Sequence, residues 1–246
     1  MEIRTYGGGR RLSRCENLLR GREFSSGIRR LILLPIPTSR DNKYITGTST
    51  TVGEIAAMLT PDTAVAGYNI PSEITDGAAK VGATVYDGGL DETFLCENAE
   101  LTARGALGYI LTHAESDISD MHLGVVGYGR IGRRLVQHLI PFGGGVRVYT
   151  GRESVAALLS DRGIDARIVG EHNDLSGLDI LINTAPSRQF SDRDLPPGLD
   201  IIDLASGVVF EPSARLIKLS SIPDAFYPFT AGRLYAEAIA RRFGGG

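Results

Sequence analysis

The stretch LGVVGYGRIGRRLVQHLI, residues 123–140, restricts this chain more than any other. An apolar run that reads as a strand leads directly into Gly127, Gly129 and Gly132. A helical pattern follows, with Ile131, Leu135, Val136, Leu139 and Ile140 on one face. A strand that turns this tightly into a helix needs backbone free of Cβ, and it commits the chain to a βαβ unit. The glycines have separable roles. Gly127 permits the turn, Gly129 lets a phosphate approach the backbone, and Gly132 lets the helix lie close to its strand. The free N–H groups and the dipole of the helix start favour an anion. The corner therefore predicts a dinucleotide held by Gly127, Tyr128, Gly129, Arg130, Ile131 and Gly132, with a purely structural turn as the alternative.

The next strand, ending VRVYTGRES, bears on which dinucleotide. An NAD site usually closes this strand with Asp or Glu on the ribose hydroxyls. Here Thr150 stands at that place, followed by Gly151, Arg152, Glu153 and Ser154. Without the acid, a 2′-phosphate meets no repulsion. Arg152 can pair with it, and Thr150 or Ser154 can donate hydrogen bonds. NADP is the cofactor expected, with Arg130 as a second cation. Solvated surface positions for Arg130 and Arg152 are the competing reading. Glu153 could supply the missing acid if the turn were shifted.

The remaining sequence alternates in the same way. Strands are expected at 2–6, 30–36, 63–68 and 83–87, with helices at 51–59 and 71–82 between them. A longer helix at 98–115 has Asn98 as its N-cap. A second series has strands at 122–126, 145–149, 164–169, 178–184, 199–204 and 215–219, and helices at 130–141, 153–162 and 231–242. The fold class is α/β with two domains. Residues 1–117 form the first. Residues 118–230 form a Rossmann-type, doubly wound parallel sheet that binds NADP, and 231–246 are expected to return to the first domain.

Composition narrows the function. The 246 residues carry a net charge of −3, so no global basic field recruits nucleic acid. No apolar run approaches a membrane span. Eight arginines in the first 30 residues argue against a secretory signal, and a cytoplasmic protein is expected. Cys15 and Cys96 make neither a disulfide framework nor a zinc set, and no metal site is expected.

Behind the glycine corner stand LDILINTAPS (178–187), DIIDLAS (200–206) and PFTAG (228–232). Before it stand GGGRR (7–11), LLPIPTS (33–39) and ENAELTARGAL (97–107). In this order they resemble the dipicolinate synthase A-subunit family, relatives of the NAD(P)-dependent 2-hydroxyacid dehydrogenases. The resemblance implies oxidation of dihydrodipicolinate to pyridine-2,6-dicarboxylate with NADP, beside a flavoprotein-like second subunit, and it leaves room for a homo-oligomer. It also implies that residues 1–117 are the substrate side, and that Asn183, Thr184, Ala185 and Pro186 line the cofactor, with Ala205 and Ser206 near the nicotinamide. Departures fall on the substrate side: Gly9 and Leu12 replace an acid and a glutamine, Arg104 a glutamate, and Phe229 a basic residue.

Aromatising a dihydropyridine needs a well-placed nicotinamide and modest proton management. The four histidines, at 113, 122, 138 and 172, are scattered, and the first three read as structural. A small dicarboxylate substrate needs cations and N–H donors at strand ends. Thr38, Ser39 and Arg40 are candidates from one domain, and Ser187, Arg188 and Ser206 from the other. Arg10 and Arg11 could meet a second carboxylate, against a surface reading for both. Thr230 could cap the last helix or touch the ligand, and the GTSTT segment could cradle an anion or cap a helix. A non-catalytic NADP-binding sensor or subunit and a 2-hydroxyacid dehydrogenase stay as alternatives to the oxidoreductase.

Overall fold

The computed structural model describes residues 1–25, 27–170, 172–187 and 189–244. It divides into two compact units, Met1–Asn98 with Pro223–Gly246, and Ala99–Ile222. The division falls inside a helix rather than at residue 118, and 223–246 belong with the first unit.

The first unit holds four parallel strands in the order β1 (Glu2–Thr5), β2 (Arg30–Leu33), β3 (Thr63–Gly67) and β4 (Thr84–Asp87). Leu31, Ile32, Leu33, Ala64, Val65 and Ala66 are all buried, so both faces of the sheet are covered. A two-face burial explains why these strands read as unbroken apolar runs. On one face Ile32, Leu34 and Val65 meet Ile55 of α2 (Val52–Ala57) and Ile74 of α3 (Ser72–Val81). Thr51 and Glu54 form a capping box at the start of α2, which accounts for the GTSTT segment without a ligand.

Helix α1 (Arg10–Leu19) is absent from the sequence reading, although Leu12, Cys15 and Leu19 form a buried stripe along it. It packs against α8 (Pro228–Phe243), where a Cβ at Gly232 would lie 2.5 Å from the Arg11 carbonyl oxygen. α8 opens on Pro228, whose lost N–H costs nothing at a helix start, so Thr230 lies inside the helix and does not cap it. Tyr235 of α8 is fully buried and donates its hydroxyl to Leu34 O at 3.2 Å. Helix α4 (Glu92–His113) begins earlier than Asn98, because Asp91 accepts from Phe94 N at 3.0 Å and does the capping.

The second unit is a six-stranded parallel sheet. Its strands are β5 (His122–Val126), β6 (Gly145–Thr150), β7 (Asp165–Ile168), β8 (Ile180–Asn183), β9 (Asp200–Asp203) and β10 (Arg215–Lys218), in the order β10-β9-β8-β5-β6-β7. The chain winds outward from β5 to β7, then restarts at β8 on the other side of β5. The winding direction therefore switches between β5 and β8, where open α/β sheets bind ligands beyond their carboxyl ends. α5 (Arg130–Leu139) and α6 (Glu153–Ser160) flank this sheet, and the short α7 (Ile222–Phe226) precedes α8. Leu123, Val125, Leu135, Val136, Ile180 and Ile182 share one core. Among the described residues no helix is long and apolar enough to cross a membrane.

Candidate functional site

The glycine corner lies at this switch. Gly127 takes φ +90° and donates to Tyr149 O at 2.8 Å, which binds the turn to β6. A Cβ at Gly132 would lie 2.1 Å from Gly127 O, so only glycine lets α5 sit this close to the turn. Thr184, just beyond β8, donates its hydroxyl to Val126 O at 2.9 Å and braces the corner from the other side. Gly129 differs from its neighbours: a Cβ there would meet nothing within 4 Å. The protein's own packing does not require glycine at 129, whereas an incoming group would. α5 opens without a side-chain cap or an acid in its first turn, so its leading N–H groups and dipole face outward. Arg130 opens this helix and is exposed, and Ile131 is half-buried beside it.

The end of β6 reaches the same place. Arg152 donates from its guanidinium to Tyr128 O at 3.2 Å, which sets a cation on the glycine loop. Glu153 occupies the first turn of α6, where the helix dipole accounts for an acid. Ser154 and Gly151 are exposed, but Thr150 is buried and its Oγ1 accepts from Arg152 N at 3.3 Å. Thr150 thus shapes the turn that carries Arg152 and is not a surface donor. The Val169 N–H binds Thr150 O, and beyond it opens a groove of about 520 Å³ lined by Val169, Gly170, His172, Phe190 and Arg193. The sequence reading did not find this groove, because its walls come from loops far apart in the chain.

On the other side of β5, Asn183 is buried. Its Nδ2 donates to Asp203 Oδ1 at 2.8 Å and to Ala185 O at 3.0 Å, while its Oδ1 accepts from Ala185 N. It is a positioning residue for the turn rather than part of an open lining. Asp203, which the sequence reading passed over, is buried and accepts also from the N–H groups of Ala205, Gly207 and Val208. This node holds Ser206 exposed in a left-handed conformation, φ +56°, that a serine rarely adopts. Ala205 is half-buried, and Pro186 and Ser187 are exposed at the end of β8. Arg188 lies outside the described residues.

Thr38, Ser39 and Arg40 belong to the first unit. Thr38 is fully buried, its Oγ1 accepting from Tyr68 N at 2.9 Å, so it links the ends of β2 and β3 and cannot take a ligand as expected. Ser39 donates to Asp41, and Arg40 is exposed. Arg11 is buried, against the surface reading of GGGRR. His113 stacks on Tyr109 at 4.0 Å, and His138 Nε2 lies 2.8 Å from Glu100. His172, which follows β7, stands 4.0 Å from Asp194 in the connection between β8 and β9.

Two α/β units, with a glycine corner at the switch point of the second, define a two-unit Rossmann-type fold. Within that class the fold is that of the dipicolinate synthase A-subunit. The A-subunit from Bacillus halodurans matches at a TM-score of 0.79 and 18% identity, over 98% of this chain and 97% of that one. Its counterpart in the dipicolinate synthase of Bacillus subtilis matches at 0.77 and 17%, over 98% and 95%. An L-alanine dehydrogenase matches at 0.60 and 12%, over 98% and 88%. No protein-family model and no curated protein matches the sequence.

Proposed function

We propose that this protein is an NADP-dependent oxidoreductase that converts dihydrodipicolinate to dipicolinate, with a flavoprotein-like subunit as its partner. The observation that carries the cofactor reading is Arg152, held on the glycine loop through Tyr128 O at the end of a strand that lacks the acid of an NAD site. Gly129 leaves room for the pyrophosphate, the uncapped start of α5 offers N–H donors, and the groove past Val169 has room for the adenosine. The residues present therefore fit the nucleotide.

The bound nicotinamide would supply the hydride acceptor for a reaction in which the substrate loses one hydride and one proton and gains aromaticity. The task of the chain is then to hold and orient. The Asn183–Asp203 node and the turn at Ser206 keep the ends of β8 and β9 in one arrangement, and Ser187 and Ser206 offer hydroxyls to the substrate. A 2-hydroxyacid dehydrogenase would need a histidine–carboxylate pair near β8 and β9. The His172 ring is exposed and stands 4.0 Å from Asp194, beyond hydrogen-bond reach, which disfavours that reading. A non-catalytic NADP-binding subunit is the second reading, favoured by Thr38, whose hydroxyl is consumed inside the fold.

Fluorescence titration with NADPH and NADH, followed by turnover of dihydrodipicolinate with and without a flavoprotein partner, separates the two. Tight NADPH binding with turnover is the expected result. Binding without turnover in either setting would favour the non-catalytic subunit, and equal affinity for both nucleotides would remove the role given to Arg152.

A further inference from the structure

Arg11 is an unusual residue to bury. It is only 5% exposed, yet its guanidinium makes one close hydrogen bond, from Nη2 to Asn98 Oδ1 at 2.9 Å. Asp224 stands 3.9 Å from Nη1, the Phe94 ring centre is 5.8 Å away, and the buried Nε has no hydrogen-bond partner. A guanidinium has five N–H donors, and a charge this deep is normally paired and saturated. Burial lowers the Arg11 pKa and raises that of Asp224, so the two are a weak couple. Apolar replacement of a whole buried ion pair is often neutral or stabilising, so the Arg11–Asp224 pair is weak evidence of a stabilising role.

Its surroundings point to an anion. Arg11 lies in the first turn of α1, which opens after Gly7–Gly9 with no side-chain cap and no acid. Gly7 and Gly9 have φ of +91° and +109°, and a Cβ at Gly8 or Gly9 would meet nothing within 4 Å. Thr46, whose carbonyl backs Gly7, carries a buried hydroxyl without a partner. Arg10 sits 5.1 Å over the ring of Phe229, itself 57% exposed. The glycine turn follows β1, and so lies at the carboxyl end of the sheet.

We propose that Arg11, with Arg10 and the open start of α1, binds a carboxylate of a small planar anion, whose flat face Phe229 receives. Arginine suits carboxylate through its fork of donors, and an exposed aromatic ring suits a planar partner. The choice of anion rests on the oxidoreductase reading, but the site does not. Pyridine-2,6-dicarboxylate is the probe, titrated calorimetrically into the full chain with and without NADPH. NADPH affinity is followed separately by fluorescence.

The wild type binds the probe, and Arg11→Gln weakens it about ten- to hundredfold, the loss of a charge-assisted contact. Arg10→Gln weakens it severalfold, and both variants keep wild-type NADPH affinity. Asp224→Asn, which removes the competing carboxylate, tightens the probe. If Arg11→Gln does not fold, Arg10→Gln and Asp224→Asn decide. No probe binding to the wild type, wild-type affinity in Arg11→Gln or Arg10→Gln, unchanged or weaker binding in Asp224→Asn, or equally tight binding of inorganic phosphate would overturn the proposal. A wild type that binds the probe but not NADPH keeps this site and sinks the oxidoreductase reading instead.

Discussion

At Gly132 a methyl group has no room, with Gly127 O at 2.1 Å and Thr184 Oγ1 at 2.8 Å from its position. At Gly129 it has all the room it needs. The two glycines therefore separate structure from binding. Gly132→Ala is expected to destabilise the fold by about 1–3 kcal/mol in denaturant titration, because the turn or α5 must shift. Gly129→Ala is expected to leave the unfolding midpoint in place, since its φ of −84° suits alanine, and to weaken NADPH about tenfold or more. A Gly129→Ala protein with undiminished NADPH affinity would return the corner to a structural turn. Arg152→Ala should weaken NADPH much more than NADH in the same titration, since only one of them carries the extra phosphate. Asp203→Ala strands donors from Asn183, Ala205, Gly207 and Val208 and should cost about 3 kcal/mol of stability.

Between α4 and α5 one carboxylate gathers two arginines and a histidine. Glu100 lies 2.7 Å from Arg104 Nε, 2.8 Å from His138 Nε2 and 3.5 Å from Arg134 Nε. Burial raises its pKa, but the bonds from His138 and Arg104 outweigh burial and bring it below the ordinary glutamate value of 4.5. A carboxyl group with a depressed folded-state pKa stabilises the fold above its unfolded pKa and loses that contribution as pH falls through the folded value. Glu100→Gln should thus cost about 1–2 kcal/mol at neutral pH, with the difference from wild type shrinking as pH falls below the ordinary glutamate value and through the depressed folded-state one. A difference that persists undiminished at acid pH would show that packing, rather than charge, joins the two helices. Arg104, a departure from the family pattern when the sequence is read alone, is one of the partners that hold Glu100 ionised.

The molecule as a whole is two separate α/β units, each with its own parallel sheet and core. If the nucleotide belongs to the second, NADPH at a hundredfold its dissociation constant should add about 2.7 kcal/mol of stability. Slowed hydrogen exchange should then concentrate at 127–132, 150–154 and 183–187. Protection spread evenly along the chain, or confined to the first unit, would contradict the assignment.

Periodicity and glycine spacing alone placed every strand of both sheets to within a few residues, and the glycine corner with them. Those signals are local: burial on both faces writes an apolar run such as TAVAG, and a tight turn writes a glycine. The same locality explains what was missed. The stripe Leu12, Cys15, Leu19 was present in the sequence, but it is thin and set among arginines, and only the α8 it packs against shows that this segment is a buried helix. Whether a polar side chain faces a ligand or its own fold depends on neighbours remote in the chain. Thr38 meets Tyr68 and Asn183 meets Asp203, whereas Arg11 is buried with one close hydrogen bond, to Asn98. The amino-acid order by itself determined the α/β class and the place of the corner. Tertiary structure alone decided which hydroxyls, amides and guanidinium groups are spent inside the fold and which remain for a ligand, because burial and hydrogen bonding are set by contacts that close only when the sheets assemble.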